Sequence, residues 1–192
     1  MGDFTHDPNR RDILKASAAL IAGGLAVHAA RAGDAPATEA PAGKPGDFDF
    51  LAGEWKIAHR RLKTPGTNEW DEFEGEATCW TILSGVGSVE ELRIPARKFA
   101  GMGLRLLDVE KRIWNDFWVN AKSGVLTTPG QTGMFVDGVG TFTADDMDGT
   151  TPIKVKGVWD RITPTSCRWW QAVSRDGGAT WEENWFMDWR RV

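Results

Sequence analysis

The chain has 192 residues and a net charge of −4, with 11 Trp, 9 Phe and no Tyr. That length suits one domain of ordinary size and a tail. No basic stripe and no block of like charges appears, which argues against a nucleic-acid binder and against an acidic disordered tail.

The first expected element is an export signal. Asn9-Arg10-Arg11-Asp12-Ile13-Leu14-Lys15 leads into a weakly apolar run from Ala16 to Val27, and Ala30-Arg31-Ala32 supplies a small-x-small cleavage site. A positive region, a short apolar region and such a site together define a signal peptide. The run is shorter than the roughly 20 apolar residues that span a bilayer. Arg10-Arg11 followed by x-Ile-Leu-Lys is similar to a twin-arginine signal, with Ile where Phe is usual. We expect residues 1–32 to be removed, leaving a periplasmic or secreted protein that meets a membrane only during export. No Cys lies near the cleavage site, which argues against a lipoprotein. Residues 33–46 are Ala, Pro and Gly with few apolar anchors, the composition of a flexible linker, so the folded domain is expected over 47–192.

Asp47-Phe48-Asp49-Phe50-Leu51 opens that domain without a strand pattern. It reads as a short 3₁₀ turn that plugs one end of the fold and lays Trp55 across the floor of the core. Beyond it the chain alternates with period two, as strands do. Trp55, Ile57, His59 and Arg61 share one face of the first run. Further runs cover 79–83, 89–94, 102–109, 113–119, 134–143, 153–162, 167–173 and 181–191, all rich in Val, Ile, Thr, Trp and Phe. Turn residues separate them, among them Thr64-Pro65-Gly66, Ser84-Gly85, Asp148-Gly149 and Asp176-Gly177-Gly178. About eight to ten short strands with hairpin links describe an all-β sandwich or an antiparallel up-and-down barrel. A barrel of about eight strands has room for its own side chains or for one small ligand, and the pattern leaves filled and hollow both open.

Phe48 through Trp55, with its Gly53-x-Trp55 element, resembles the opening of the DUF1579-like bacterial proteins, which look related to the lipocalin-like (calycin) barrels. Trp169-Trp170-Gln171 and the stretch from Ser174 to Trp185 are similar to that family as well. The resemblance implies a lipocalin-like barrel with an apolar cavity, and an Arg of the last strand, Arg190 or Arg191, packed over Trp55. It supplies no activity. Ser174-x-Asp176-x-Gly178-x-Thr180-Trp181 also matches the Asp-box of sialidase-like propellers. It occurs once in a chain too short for a propeller, so a local hairpin is the expectation: Asp176 capping turn amides, Gly177 and Gly178 at positive φ, Trp181 packed beneath.

Candidate chemistry is sparse. After cleavage His59 is the only histidine, and it shares a face with Trp55. A histidine on a cavity can act as general base or hydrogen-bond donor, and it can equally be a structural side chain bonded to a neighbouring strand. The acid beside it would be Glu90 or Asp116. Glu90 and Glu91 must face opposite ways in a strand. Trp114, Asp116 and Trp118 share a face, either as a polar anchor in an aromatic wall or as an outer-face group paired with an arginine; the pattern leans to the outer face. The interior polar candidates also include Arg61, Glu91, Asn115, Arg168 and Gln171, and any buried charge among them would have to be paired or mark a site. No nucleophile elbow and no phosphate loop appears. Two cysteines, Cys79 and Cys167, with one His cannot build a structural zinc site, and they can be bridged or stay as buried thiols. The acidic turn Asp145-Asp146-Met147-Asp148-Gly149 lacks the calcium-loop pattern and reads as a solvated hairpin tip.

The leading expectation is a binding module for a small apolar or aromatic molecule, without a resident cofactor. Its wall would draw on Trp55, His59, Arg61, Trp80, Trp114, Trp118, Trp159, Trp169, Gln171 and Trp185. The alternatives are a cofactor-free isomerase, cyclase or lyase using His59 with Glu90 or Asp116, and a filled structural barrel. Haem held through His59 alone is the one cofactor worth testing.

Overall fold

The computed structural model describes residues 42–192; the expected signal peptide and most of the linker lie outside the described residues. Ten antiparallel strands succeed one another: β1 (Gly53–Leu62), β2 (Trp70–Ile82), β3 (Gly87–Ile94), β4 (Phe99–Asp108) and β5 (Ile113–Asn120). They continue with β6 (Gln131–Val136), β7 (Val139–Asp148), β8 (Thr151–Asp160), β9 (Ser166–Ser174) and β10 (Glu182–Arg191). Each strand pairs with its sequence neighbours, and β1 pairs with β10, so the sheet closes into an up-and-down barrel. The ring is thinnest between β5 and β6, where only Trp114–Asp116 pair with Gln131–Gly133, and alternation sorts the strands into an inner and an outer face.

The sorting matches the sequence closely on β1, where Trp55, Ile57 and His59 are buried while Lys56, Ala58 and Arg60 are exposed. Two segments differ from expectation. The run 134–143 is two strands, because Asp137 and Gly138 both take positive φ and turn the chain back between Val136 and Val139. Left-handed backbone at both central positions is the signature of the tight hairpin turns that match strand twist. Strand β2 begins at Trp70, nine residues before the run at Cys79, because Glu72, Glu74 and Glu76 carry its outer face and mask the inner one.

One end of the barrel is plugged. The 3₁₀ turn Asp49–Leu51 tucks Phe48 and Leu51 fully into the interior. Phe48 meets Trp114 edge-on at 4.9 Å and Phe135 at 5.0 Å. The Trp55 indole donates to Leu51 O at 2.7 Å, and the Trp114 indole donates to Asp47 Oδ2 at 3.0 Å. Arg191 straps the plug down. Its guanidinium donates to the carbonyls of Ala52 (2.5 Å), Phe50 (2.7 Å) and Pro164 (2.9 Å), and lies 4.2 Å from the Trp55 ring centroid. This settles the choice between Arg190 and Arg191 for the residue over Trp55, since Arg190 is exposed. It also explains Gly53: a Cβ there would sit 2.5 Å from Arg191 Nη1. Residues 42–46 belong with this end, because Gly43 N–H donates to Arg112 O and Gly46 N–H to Gly85 O.

The hairpin between β9 and β10 has the expected form. Asp176 accepts from the Thr180 N–H and hydroxyl at 2.9 and 2.6 Å, Gly177 and Gly178 have positive φ, and the Trp181 indole donates to Gly178 O. Cys79 and Cys167 are both buried free thiols.

Candidate ligand cavity

Above the plug the barrel is hollow. A cavity of about 370 Å³ lies between aromatic walls built by Trp118 on β5, Trp159 on β8, Trp169 on β9, and Trp185 and Trp189 on β10. Leu92, Val155, Val173 and Met187 fill the gaps between indoles. Asp146, exposed at the end of β7, marks the open rim. A second hollow of about 670 Å³ touches β1, β2, β9 and β10, and its ion pair of Arg168 forked on Asp188 at 2.7 and 2.8 Å is complete within the chain.

The floor of the inner cavity carries three charged groups. Antiparallel register sets Glu90 on β3, Arg105 on β4 and Asp116 on β5 side by side facing inward, with Gly103 opposite Glu90 leaving room. Arg105 Nη2 donates to Glu90 Oε2 at 2.5 Å, while Arg105 Nε stands 3.5 Å from Asp116 Oδ2, too far for a full hydrogen bond. Glu90 and Arg105 are 2 % and 4 % exposed. Burial works against the Arg105 charge, but the carboxylates of Asp116 and Glu90 outweigh it and push its pKa up. Burial, opposed by Arg105 and reinforced by Glu90, raises the Asp116 carboxyl to about 6. The inward position of Trp114, Asp116 and Trp118 corrects the outer-face reading: closure of the ring turns that face in.

Several polar atoms here have no partner among the described residues. They are Arg105 Nη1 and Nε and the indole nitrogens of Trp159 and Trp189. All three side chains line the cavity. A buried donor left unmade costs a fold about 1–3 kcal/mol, so such a cluster marks a place built to receive an acceptor or water.

The expected site residues divide accordingly. Trp118, Trp159, Trp169, Gln171 and Trp185 line the cavity together with Glu90 and Asp116. Trp55 and Trp114 are buried in the plugged floor and do not line it. Trp80 is 47 % exposed on the outer face of β2, because Cys79 takes the inward position. Arg61 is exposed near the rim with its guanidinium 4.6 Å from the Trp185 ring centroid.

His59 is buried but lies apart from the two acids, with no hydrogen bond or ion pair to either among the described residues. Its ring stacks on Phe73 at 4.6 Å, and its Nδ1 accepts from the Trp185 indole at 3.3 Å. Its Nε2 packs against the backbone of Gly75, where a Cβ would come within 2.5 Å. Burial, helped by the nearby Arg97 cation, lowers its pKa to about 4, so the imidazole is neutral at ordinary pH. Phe73 and Trp185 pack the ring in place, while its Nε2 has no hydrogen-bond partner among the described residues.

Arg105 escapes a reading of the sequence, and Trp189, on the same face of its strand as Trp185, joins the expected wall. In Gly101-Met102-Gly103-Leu104-Arg105-Leu106-Leu107 both faces are apolar or small, so alternation gives no cue to the arginine. The available signal is the arginine itself, the one charge between Gly101 and Leu107. A comparison with protein-family models matches none, and a comparison with curated proteins finds no relative.

Proposed function

We propose that the barrel is a host for a small apolar or aromatic molecule held in the inner cavity. One observation carries the reading: a hollow of about 370 Å³ walled by five indoles above a sealed floor. Small-molecule sites are concave, mostly apolar, of roughly 300–1,000 Å³, with a few convergent polar groups. The Gly53-Trp55 opening and the Arg191 strap support kinship with the DUF1579-like, lipocalin-like barrels. The leader with Arg10-Arg11 supports action outside the cytoplasm. A catalyst built on His59 has less support, since that imidazole is enclosed by Phe73, Trp185 and Gly75.

The test is intrinsic fluorescence of the barrel titrated with small aromatic compounds and with haem. Four of the cavity indoles touch one another in pairs, Trp159 with Trp189 at 5.5 Å and Trp169 with Trp185 at 5.7 Å. An occupant must therefore quench or shift the emission. Silence across the whole panel returns the molecule to a structural barrel.

A further inference from the structure

Resting on the host reading, we propose that the occupant carries an uncharged carbonyl-type acceptor, read at the floor by Arg105 with the indole N–H groups of Trp159 and Trp189, and that carboxylates are turned away.

The donors come first. Arg105 Nη1, Trp159 Nε1 and Trp189 Nε1 are buried, unpartnered, and carried by residues that are 4 %, 1 % and 1 % exposed. All belong to residues lining the same cavity. The Arg105 guanidinium carbon sits 5.1 Å from the Trp159 ring centroid and the Trp159 ring 5.5 Å from that of Trp189, so the three side chains that carry these donors are neighbours. A guanidinium and two indoles only donate. What completes them is an oxygen with free lone pairs.

Charge then selects the kind of oxygen. Glu90 already cancels Arg105 through their ion pair. Asp116 lies beside them with its Oδ2 3.5 Å from Arg105 Nε, a second carboxylate on a single cation. An incoming carboxylate would add a third acid to one guanidinium beside buried side chains, where like charges repel strongly. An ammonium head fails for a different reason: it would pair with Asp116 but brings no acceptor, and so leaves the three donors unmet. A ketone, ester or amide oxygen meets both conditions. The body of such a molecule is flat and apolar, to lie between Trp118, Trp169 and Trp185.

Calorimetric titration of the intact barrel with three probes of one shape tests this: acetylnaphthalene, isopropenylnaphthalene and naphthoate. The ketone is expected to bind more than about tenfold tighter than the hydrocarbon and the acid, because a site built to bond an oxygen rejects the analogue lacking it. In Asp116→Asn the naphthoate deficit should shrink by about tenfold or more, since one like charge is removed, while the hydrocarbon stays weak. The ranking in the unaltered protein decides the matter even where the variant folds poorly. Hydrocarbon binding as tightly as ketone overturns the acceptor claim, with water completing the donors, and leaves the host reading standing. Naphthoate binding best overturns the charge argument. Failure of all three to bind overturns both this inference and the host reading.

Discussion

Two of the barrel's arginine–tryptophan clusters, one around Arg191 and one around Arg105, are finished differently. At the plugged end Arg191 gives hydrogen bonds to three carbonyls and covers Trp55, whose own N–H is taken by Leu51. One layer up, Arg105 has one good partner, Glu90, and the indoles of Trp159 and Trp189 have none among the described residues. The residue types are the same and the burial is, if anything, deeper at Arg105. The first cluster is complete within the chain and holds the structure; the second leaves donors unmet among the described residues. Unmet donors beside a cavity are therefore more informative about function than the aromatic wall, which a filled core would share.

The sharpest way to break this contrast is to remove each arginine. Arg191→Met loses three charge-assisted bonds and frees the plug, and we expect a loss of about 3–5 kcal/mol in urea unfolding. Replacing the inner trio together, with Glu90→Gln, Arg105→Met and Asp116→Asn, should leave stability within about 1 kcal/mol or raise it, because exchanging a whole buried ion cluster is often neutral or stabilising. Equal losses from both would mean that the inner trio is structural.

Acidification sharpens the same contrast through two groups of opposite sign. His59 titrates near 4 in the fold against 6.5 when exposed, so its neutral form favours the fold above pH 6.5, and that contribution is lost as pH falls toward 4. Asp116 titrates near 6 against 3.8, so its ionised form penalises the fold at neutral pH, and the penalty is relieved as pH falls from 6 toward 3.8. Each is worth on the order of 3 kcal/mol, and over that window they offset. Asp116→Asn should therefore be more stable than the unaltered chain at pH 7, and its stability should drop by about 3 kcal/mol between pH 6.5 and 4. Thermal melts across that range check both signs; a variant no more stable at neutral pH would show that Asp116 carries no burial penalty.

Smaller effects come from the indoles. Trp55→Phe gives up a bond to Leu51 O, whereas Trp159→Phe gives up an N–H that has no partner among the described residues. Both shrink the ring alike, so the first should cost about 1 kcal/mol more than the second in urea unfolding. Smallest of all, Trp80→Thr on the outer face should change stability by less than about 0.5 kcal/mol and leave any ligand response intact, as surface changes do.

The all-β class and the plug are legible in the sequence because each has a local cause. Trp55, Ile57 and His59 alternate with exposed neighbours, and Asp47–Leu51 breaks that alternation. Strand β7 is hidden inside a longer run, although Asp137-Gly138 is a strong short-range turn signal. The facing of Trp80 and of Trp114-Asp116-Trp118 is not legible, because which face turns inward depends on pairing with distant strands. The cavity floor is half legible: Glu90 and Asp116 stand out as acids within strand runs. Arg105 does not, since β4 offers no polar face to set it against.

Nine of the ten ladders join neighbouring strands through short connections, and β1 with β10 is the exception. Zipping the nine needs only hairpin-sized closures, while joining Trp55 to Arg191 encloses more than about ten times as much chain, and each doubling of a loop adds roughly 0.6 kcal/mol of lost entropy. That seam must form late and is the natural first place to part. The guanidinium clasp of Arg191 lies across it, so its effect should fall on how fast the native ring opens rather than on how fast it assembles.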